Sequence, residues 1–291
     1  MLHALAPHPS THPPTHPYDR VPLTILSGVG RSGTTILRQA LSKHPDLDST
    51  NLENNIILDL LEAASRNRTI PSRFHALRVP EAVYEAHFAA LMLRLLWPCP
   101  RARTPERLLA YTNLTPQAAD QLLRLFPSAR IIYIVRNGIE VVGSRLRFAP
   151  FSSRDVGSHA QTWRTAHDMA RWGEHRPEFL LVRHEWLLTP DGPERMMRAI
   201  LPFLGLTHHH PCTDHFRSEL VHPTSDRPDS ILEAKARTPA SQNTPINLSL
   251  SDRAERWKDW NPDDRLAFDQ TCAEAMAYFG YAVPWNSTAA A

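Results

Sequence analysis

The sequence predicts an α/β protein in which a central parallel sheet is flanked by helices, so that the chain forms three layers. Apolar, strand-like runs alternate with helical patterns along the chain, as expected of parallel strands joined by helical crossovers. With 291 residues, of which 42% are hydrophobic, the chain is long enough to bury a large core. Because no internal repeat or linker divides it, residues 21–285 are expected to form a single domain.

The first half of the chain predicts a strand and then helices. Leu23–Ser27 is a short apolar run typical of a buried strand, and the helical pattern at 34–43 ends at His44-Pro45. Further helical patterns run from about 53 to 64, from 81 to 97, and onward from Pro116, since proline is favoured in a first helical turn.

The second half contains the clearest strand of the sequence, RIIYIV at Arg130–Val135. It is rich in β-branched residues and is bounded by the turn-forming segments FPSA and NG. A shorter strand is expected at 179–182, and the proline-rich residues 206–256 are expected to form loops over one edge of the sheet. Helical patterns lie at 139–148, 156–174, 193–204 and 262–279.

The composition argues against several classes of function. A formal net charge of +2 gives no strong field for binding nucleic acid. The three cysteines are widely spaced without a C-x-x-C pair, which argues against a disulfide framework or a zinc site and favours a reducing compartment. Neither a signal peptide nor an apolar stretch long enough to span a bilayer is found. We therefore expect a cytoplasmic protein without a membrane span.

The two ends of the chain are expected to lie outside the domain. Residues 1–20 are rich in proline and histidine, a composition that predicts a disordered tail. Residues 286–291 are expected to form a flexible C-terminus.

The segment TILSGVGRSGTT at 24–35 has the outline of a phosphate-binding loop, with a strand before its glycines and a helix after them. The lysine of a nucleoside-triphosphate loop is missing, and Thr34 follows Gly33 in its place. Because that lysine contacts the β- and γ-phosphates, its absence argues against a triphosphate ligand. A 5′-phosphosulfate fits better, held by backbone amides, by Arg31 and by hydroxyl groups. The residues expected to hold it are Gly30, Arg31, Ser32, Gly33, Thr34 and Thr35.

A second candidate element, IVRNGIEVVGSRL, follows the strand at 130–135. Arg136 stands at the carboxyl end of this strand, and Ser144 lies eight residues later on a predicted helix. Open α/β sheets bind ligands at the carboxyl ends of their strands. This cation and this hydroxyl are therefore expected to hold one more phosphate beside the first loop.

GVGRSGTT followed by IVRNGIEVVGSRL resembles the sulfotransferases that use PAPS (3′-phosphoadenosine 5′-phosphosulfate). The chain looks most like the tyrosylprotein sulfotransferases, whose loop also reads R-S-G-T-T. FPSARIIYIVRNG is similar to the family's F-P-N-A-K…V-R-D-G, and FLLVRHEWLLTP is similar to its strand with Y-E-x-L. PINLSLSDRAERW resembles a P-V-N…W closing segment, so that the resemblance covers about residues 22–283.

The resemblance implies a P-loop-like fold and in-line transfer of a sulfuryl group from PAPS, which leaves PAP as product. It implies that the first loop binds the 5′-phosphosulfate, that Arg136 and Ser144 bind the 3′-phosphate, and that no metal is needed. Glu53 is the carboxylate nearest to the position of the family's general base, and Arg31 is expected to stabilise the transition state. The implied acceptor is a tyrosine in an acidic peptide or protein, and a homodimer is left open. The alternative reading of Glu53 is a residue in the first turn of a helix.

The chain departs from the family's pattern at three positions. In the family, a lysine assists the leaving group. The corresponding segment of this chain, YTNLTP, has no lysine, so Arg31 alone, Arg103 or Arg107 is expected to supply that charge. His184 replaces the family's tyrosine, and Thr244 replaces the lysine before P-V-N. The arginines of PRART at 100–104 and SRLRF at 144–148 are expected to attract acidic residues of a peptide.

Three alternatives to tyrosine sulfation follow from the same motifs. The first is a sulfotransferase whose acceptor is a carbohydrate or a small molecule. The second is a kinase of the P-loop type, which the missing lysine disfavours. The third is a nucleotide-binding protein without catalytic activity.

Overall fold

In the computed structural model, the described residues are 21–53, 55–68, 80–98, 105–148, 151, 155–216 and 256–285. The expected tail at 1–20 and the expected flexible end at 286–291 lie outside the described residues, as do most of the loops expected at 206–256. Within the described ranges, no helix is long and apolar enough to cross a membrane.

A five-stranded, entirely parallel sheet forms the centre of the described chain. The central strand β1 lies between β3 and β4, and the strand order is β2-β3-β1-β4-β5. The strands are β1 (Leu23–Ser27), β2 (Leu47–Glu53), β3 (Arg107–Tyr111), β4 (Arg130–Val135) and β5 (Phe179–Arg183). This architecture confirms the α/β fold class.

Helices connect the strands, as parallel pairing requires. Several begin at side chains that accept a backbone N–H, which satisfies an otherwise orphaned donor. Thr115 accepts from Ala118, Asn137 accepts from Ile139, and Asn261 and Asp264 form a reciprocal capping box. The helices are α1 (Thr34–Leu41), α2 (Ile56–Arg68), α3 (Glu81–Leu96), α4 (Pro116–Leu125), α5 (Gly138–Leu146), α6 (Val156–Gly173), α7 (Gly192–Phe203), α8 (His210–Asp214) and α9 (Pro262–Tyr278), with 3₁₀ turns at His184–Leu188 and Arg256–Asp259.

The sheet has an apolar core on each face because side chains alternate along a strand. On β4, Ile131 and Tyr133 point into the core that contains the buried faces of α2, α4, α6 and α9. Ile132 and Ile134 point into the other core, which α1 and α7 cover. β1 is therefore buried along its whole length, and β4 is buried from Ile131 to Val135.

Two strands at one side of the sheet were not predicted from the sequence. β2 reads LDSTNLE, a polar edge strand without the apolar run of a buried one, and β3 is a short RLLAY segment. The helix expected from about residue 53 begins instead at Ile56, and Glu53 is the last residue of β2. The reading of Glu53 as a first-turn helical residue is therefore wrong.

The topology places two loops side by side at the carboxyl edge of the sheet. The chain leaves β1 toward α1 and the β2 side of the sheet, whereas it leaves β4 toward α5, α6 and the β5 side. Since β1 and β4 are neighbours, a crevice opens where these connections diverge. Ligands of open α/β sheets bind at such a switch point.

Candidate active site

The loop between β1 and α1 is held in a tight conformation. The Ser32 N–H donates to the carbonyl of Val29 at 2.9 Å. Gly33 has a φ of 99°, and a Cβ at this position would lie 2.5 Å from Cδ2 of His184. Arg31 also has a positive φ, 83°, which is unusual for a residue with a side chain and is typical of functional loops. Only glycine fits at position 33.

The hydroxyl groups of this loop lie at the start of α1. Ser32 and Thr34 are buried, whereas Gly30 and Thr35 are partly exposed. Thr34 is the first residue of α1, so that the positive end of the helix dipole meets the loop. Backbone N–H groups and hydroxyls at a helix N-terminus suit an anionic ligand.

Arg136, the residue after β4, is fixed through both its side chain and its backbone. Its Nε and Nη2 donate to Oε2 of Glu140, one turn later, at 2.9 and 2.5 Å. Its Nη1 donates to the backbone carbonyl of Arg31 at 3.2 Å. The Arg136 carbonyl accepts the indole N–H of Trp163 at 2.9 Å. The guanidinium is therefore held directly beside the first loop.

Glu185 ties the start of α5 to the C-terminal part of the domain. Its Oε1 accepts the backbone N–H of Asn137 at 2.8 Å, and its Oε2 accepts the hydroxyl of Tyr281 at 3.0 Å. Burial raises the pKa of the Glu185 carboxyl above its ordinary value, although both hydrogen bonds act in the opposite direction. The segment that carries Arg136 is thus fastened from two distant parts of the chain.

A direct hydrogen bond joins the two predicted ligand-binding elements. The Nε of Arg31 donates to Oγ of Ser144 at 3.0 Å, and the Arg31 guanidinium carbon lies 4.6 Å from the ring centroid of Phe148. The sequence predicted that Arg31 serves the 5′ group and Ser144 the 3′-phosphate. In the structure the Arg31 backbone belongs to the first loop, whereas its side chain reaches the second element.

A third arginine, Arg145, lies against the same loop. Its Nε donates to Nδ1 of His159 at 3.2 Å, and its guanidinium carbon is 3.9 Å from the ring centroid of Phe151. Its Nη1 lies 3.2 Å from the place that a Cβ on Gly30 would take. Burial lowers the pKa of Arg145. Burial, together with the charges of Arg136 and Arg145, lowers that of Arg31.

The charges of this arginine cluster (Arg31, Arg136 and Arg145) are only partly balanced. Glu140 forms an ion pair with Arg136. No carboxylate of the described residues forms an ion pair with Arg31 or Arg145. Buried cations of this kind are costly without a counter-charge, so that the crevice favours an anion.

Of the residues predicted from the sequence, the structure brings together the loop residues, Arg136 and Ser144. Glu53 lies apart from them: it ends the edge strand β2, paired in register with Tyr111, and its side chain lies outside the described residues. The carboxyl ends of β2 and β1 are at the same edge of the sheet and two strand spacings apart, about 10 Å.

Two predictions about other arginines are corrected by the structure. Arg107 cannot replace the missing lysine, because it begins β3 at the amino edge of the sheet, where its Nε donates to the carbonyl of Leu204 at 2.7 Å. Arg145 cannot attract an acidic peptide from solution, since it is buried at the loop. Arg147, from the same SRLRF segment, is exposed and pairs with Asp259. Arg103 and the segment at 100–104 lie outside the described residues.

Glu140 and Glu185 were not predicted as site residues, and Arg145 was predicted only to attract an acidic peptide. The Arg136–Glu140 pair was detectable, because its spacing of four residues places both side chains on one helix face. Arg145 adjoins Ser144 in the sequence, but nothing in the sequence shows that it is buried. The partners of Glu185 lie 48 and 96 residues away, beyond the reach of local patterns.

The described residues fit a nucleotide that carries two anionic groups. The first loop offers N–H groups and hydroxyls at a helix N-terminus, and the second element offers Arg136 and Ser144 next to it. The unbalanced guanidinium groups supply the counter-charge. Among the described residues, no group of His, Cys, Asp or Glu side chains is arranged to hold a metal ion.

Fold and site together define a P-loop-like α/β protein that binds an anionic ligand without the lysine of the triphosphate loops. The model of the sulfotransferase family matches residues 22–210, and the chain belongs to this family.

Named relatives and solved structures agree with this assignment. The protein-tyrosine sulfotransferase of Drosophila melanogaster is 28% identical over 91% of this chain, which spans about half, 52%, of that protein. Protein-tyrosine sulfotransferase 1 of Homo sapiens is 27% identical over 90% of this chain and 70% of its own length.

Two solved structures show the same fold. The sulfotransferase domain from the curacin biosynthetic pathway has a TM-score of 0.52 at 14% identity, and the match covers 91% of this chain and 99% of that domain. The domain from the Synechococcus PCC 7002 olefin synthase has a TM-score of 0.52 at 20% identity, with 93% and 98% covered.

Proposed function

We propose that the protein transfers the sulfuryl group of PAPS to the hydroxyl of a tyrosine in an acidic peptide or protein. One observation carries the proposal: a loop that lacks the triphosphate lysine is hydrogen-bonded, through Arg31 and Ser144, to a second cationic element. Such a pair of adjoining sites matches a donor with a 5′-phosphosulfate and a 3′-phosphate. The similarity to protein-tyrosine sulfotransferases over about 90% of the chain supports the same reading.

The residues of the two elements have separate tasks in this proposal. The 5′ group is held by the hydroxyls of Ser32, Thr34 and Thr35 and by backbone amides of the first loop other than that of Ser32, which donates to Val29. Arg136 and Ser144 hold the 3′-phosphate, with Glu140 and Trp163 fixing Arg136 in place. Bound PAPS supplies the sulfuryl group, and PAP remains after transfer.

Arg31 is assigned to charge stabilisation on the transferring group. Its backbone lies in the first loop, close to the proposed position of the 5′ group, but its Nε donates a hydrogen bond to Oγ of Ser144. The Ser144 hydroxyl can accept from Arg31 Nε and still donate its own proton to a 3′-phosphate, so that the Nη groups of Arg31 can donate to the 5′ group. A positioned donor that acts where charge develops is a large term in catalysis.

Glu53 is proposed as the general base. The acceptor has to lie between the base and the donor. The ends of β2 and β1 are about 10 Å apart with β3 between them, so we place the acceptor beyond the carboxyl end of β3. A phenol has a pKa near 10, far below that of a sugar hydroxyl, so a carboxylate can remove its proton as the bond to sulfur forms.

A panel of acceptors tests the reaction and the acceptor class together. The purified protein is incubated with PAPS and an acidic tyrosine peptide, its phenylalanine counterpart, an oligosaccharide and a simple phenol. We expect mass spectrometry to find a sulfo group on the tyrosine peptide and none on the phenylalanine control. Transfer to the oligosaccharide alone would contradict the tyrosine acceptor and leave the donor assignment in place.

A further inference from the structure

Arg145 is a buried arginine beside the first loop for which the proposed function gives no role. We propose that Arg145 binds the 3′-phosphate of PAPS together with Arg136 and Ser144. His159 and Phe151 act as positioning residues that hold the Arg145 guanidinium in place. This inference rests on the proposed function and names a further donor-binding residue within it.

The position of Arg145 supports this role. It follows Ser144 directly on α5, and its guanidinium turns toward the first loop, where Nη1 approaches Gly30. Any side chain at position 30 would press on this guanidinium, since a Cβ would lie 3.2 Å from Nη1 and 3.3 Å from the Phe151 ring. The absence of a side chain at Gly30 therefore allows the Arg145 guanidinium to lie close to the backbone of the first loop.

Arg145 is held in place by two side chains of the described residues. Its Nε donates to His159 Nδ1, and the ring of Phe151 covers the guanidinium. These two contacts use the Nε–H group and one face of the Arg145 guanidinium. The Nη groups can still donate hydrogen bonds to a ligand. A guanidinium fixed in this way can donate a fork of hydrogen bonds to a phosphate with little further loss of side-chain freedom.

The charge at the site also favours an additional anion contact. The Glu140 carboxylate balances Arg136, and no described carboxylate forms an ion pair with Arg145. A phosphate monoester carries about −1.5 to −2 charges near neutral pH. A 3′-phosphate can therefore balance the positive charge of Arg145 in addition to that of Arg136, and it reduces the repulsion between the guanidinium groups of the arginine cluster.

Two nucleotides isolate the contribution of the 3′-phosphate. PAP and 5′-AMP differ only in that group, so the ratio of their dissociation constants, measured by calorimetry, reports its binding. We expect Arg145→Met to lower this ratio, taken as the dissociation constant of 5′-AMP divided by that of PAP, about 10- to 100-fold, the loss expected for charged hydrogen bonds to one phosphate, with 5′-AMP affinity unchanged. Arg145→Lys keeps the charge without the fork and is expected to lower the ratio several-fold.

Matched variants separate a role in binding from a role in packing. Arg147→Met removes an exposed arginine two residues along the chain and is expected to leave the ratio unchanged. His159→Ala is expected to lower the ratio and leave 5′-AMP affinity as it was, because it frees the Arg145 side chain without removing it. If Arg145→Met does not fold, Arg145→Lys decides by the same ratio.

Each remaining outcome decides against the inference in a distinct way. If the Arg145 variants bind PAP and 5′-AMP with wild-type affinities, the inference is overturned and the proposed function is left intact. Equal losses of PAP and 5′-AMP affinity place Arg145 at the 5′ group instead. If the wild-type protein binds PAP and 5′-AMP with equal affinity, the assignment of PAPS as donor is contradicted, and so is the role of Arg145.

Discussion

Arg31 connects the two halves of the donor site, because its backbone shapes the first loop and its side chain reaches Ser144. If it stabilises the transition state, Arg31→Ala should lower kcat about 10²- to 10³-fold, the loss for one aligned donor. Steady-state kinetics with PAPS and a tyrosine peptide measure this. Arg147→Ala is the control, since that arginine is exposed and pairs with Asp259. A rise in KM without a change in kcat would show that Arg31 only binds.

Glu53 stands at the carboxyl end of β2, where a general base can face an acceptor placed beyond the carboxyl end of β3. Glu53→Gln keeps the size of the side chain and removes its basicity. We expect the variant to bind PAP with wild-type affinity and to lose nearly all sulfation activity. Near-normal turnover would move the base elsewhere, and His184, buried against Gly33, would be the next candidate.

The turn between β4 and α5 depends on Glu185, whose carboxyl links Asn137 to Tyr281. Burial raises the pKa of this carboxyl, so the folded protein binds its proton more tightly than the unfolded chain does. Glu185 therefore contributes stability that is complete below its unfolded pKa, 4.5, and that is lost as pH rises through the raised folded value.

Glu185→Gln removes this titration while keeping the shape of the protonated acid. We expect the wild type's excess free energy of unfolding over Glu185→Gln to be larger in acid than near neutral pH. Urea unfolding of both proteins across this range measures the difference. A difference that stays constant, or that grows as pH rises, would contradict the assigned direction of the pKa shift.

The sequence predicted those elements whose signals are local. β1 and β4 are continuous apolar runs that end at glycine-containing turns, so both strands and the helices after them were predicted nearly to their observed ends. β2 lacks such a run, because an edge strand needs little apolar surface, and its last residues were read as the start of a helix.

The same distinction applies to the site. Arg31, Arg136 and Ser144 lie in short motifs and were predicted as site residues, and the structure brings their side chains together. The hydrogen bond from Arg31 to Ser144 joins residues that are 113 positions apart. It can form because β1 and β4 are neighbours in the sheet. The burial of Arg145 depends on α6, since His159 is its hydrogen-bond partner. Such contacts follow from tertiary packing and have no local sequence signal.

For the molecule as a whole, the parallel sheet collects these residues at one edge. The order β2-β3-β1-β4-β5 places the ends of β1 and β4 next to each other and the end of β2 on the same edge. In the proposed function, a donor bound between the β1 and β4 loops faces an acceptor on the β2 side. Because this proposal assigns donor and acceptor to different parts of the sheet, the choice of donor can be tested with a single acceptor.

The most direct measurement is therefore a comparison of donors on one acidic tyrosine peptide. Initial rates are measured with PAPS, with adenosine 5′-phosphosulfate, which lacks the 3′-phosphate, and with ATP and Mg²⁺. Accurate-mass spectrometry distinguishes a sulfo from a phospho product. We predict rapid transfer from PAPS, much slower transfer from adenosine 5′-phosphosulfate, and none from ATP. Equal rates with and without the 3′-phosphate, or phosphorylation by ATP, would contradict the assignment of both donor-binding elements.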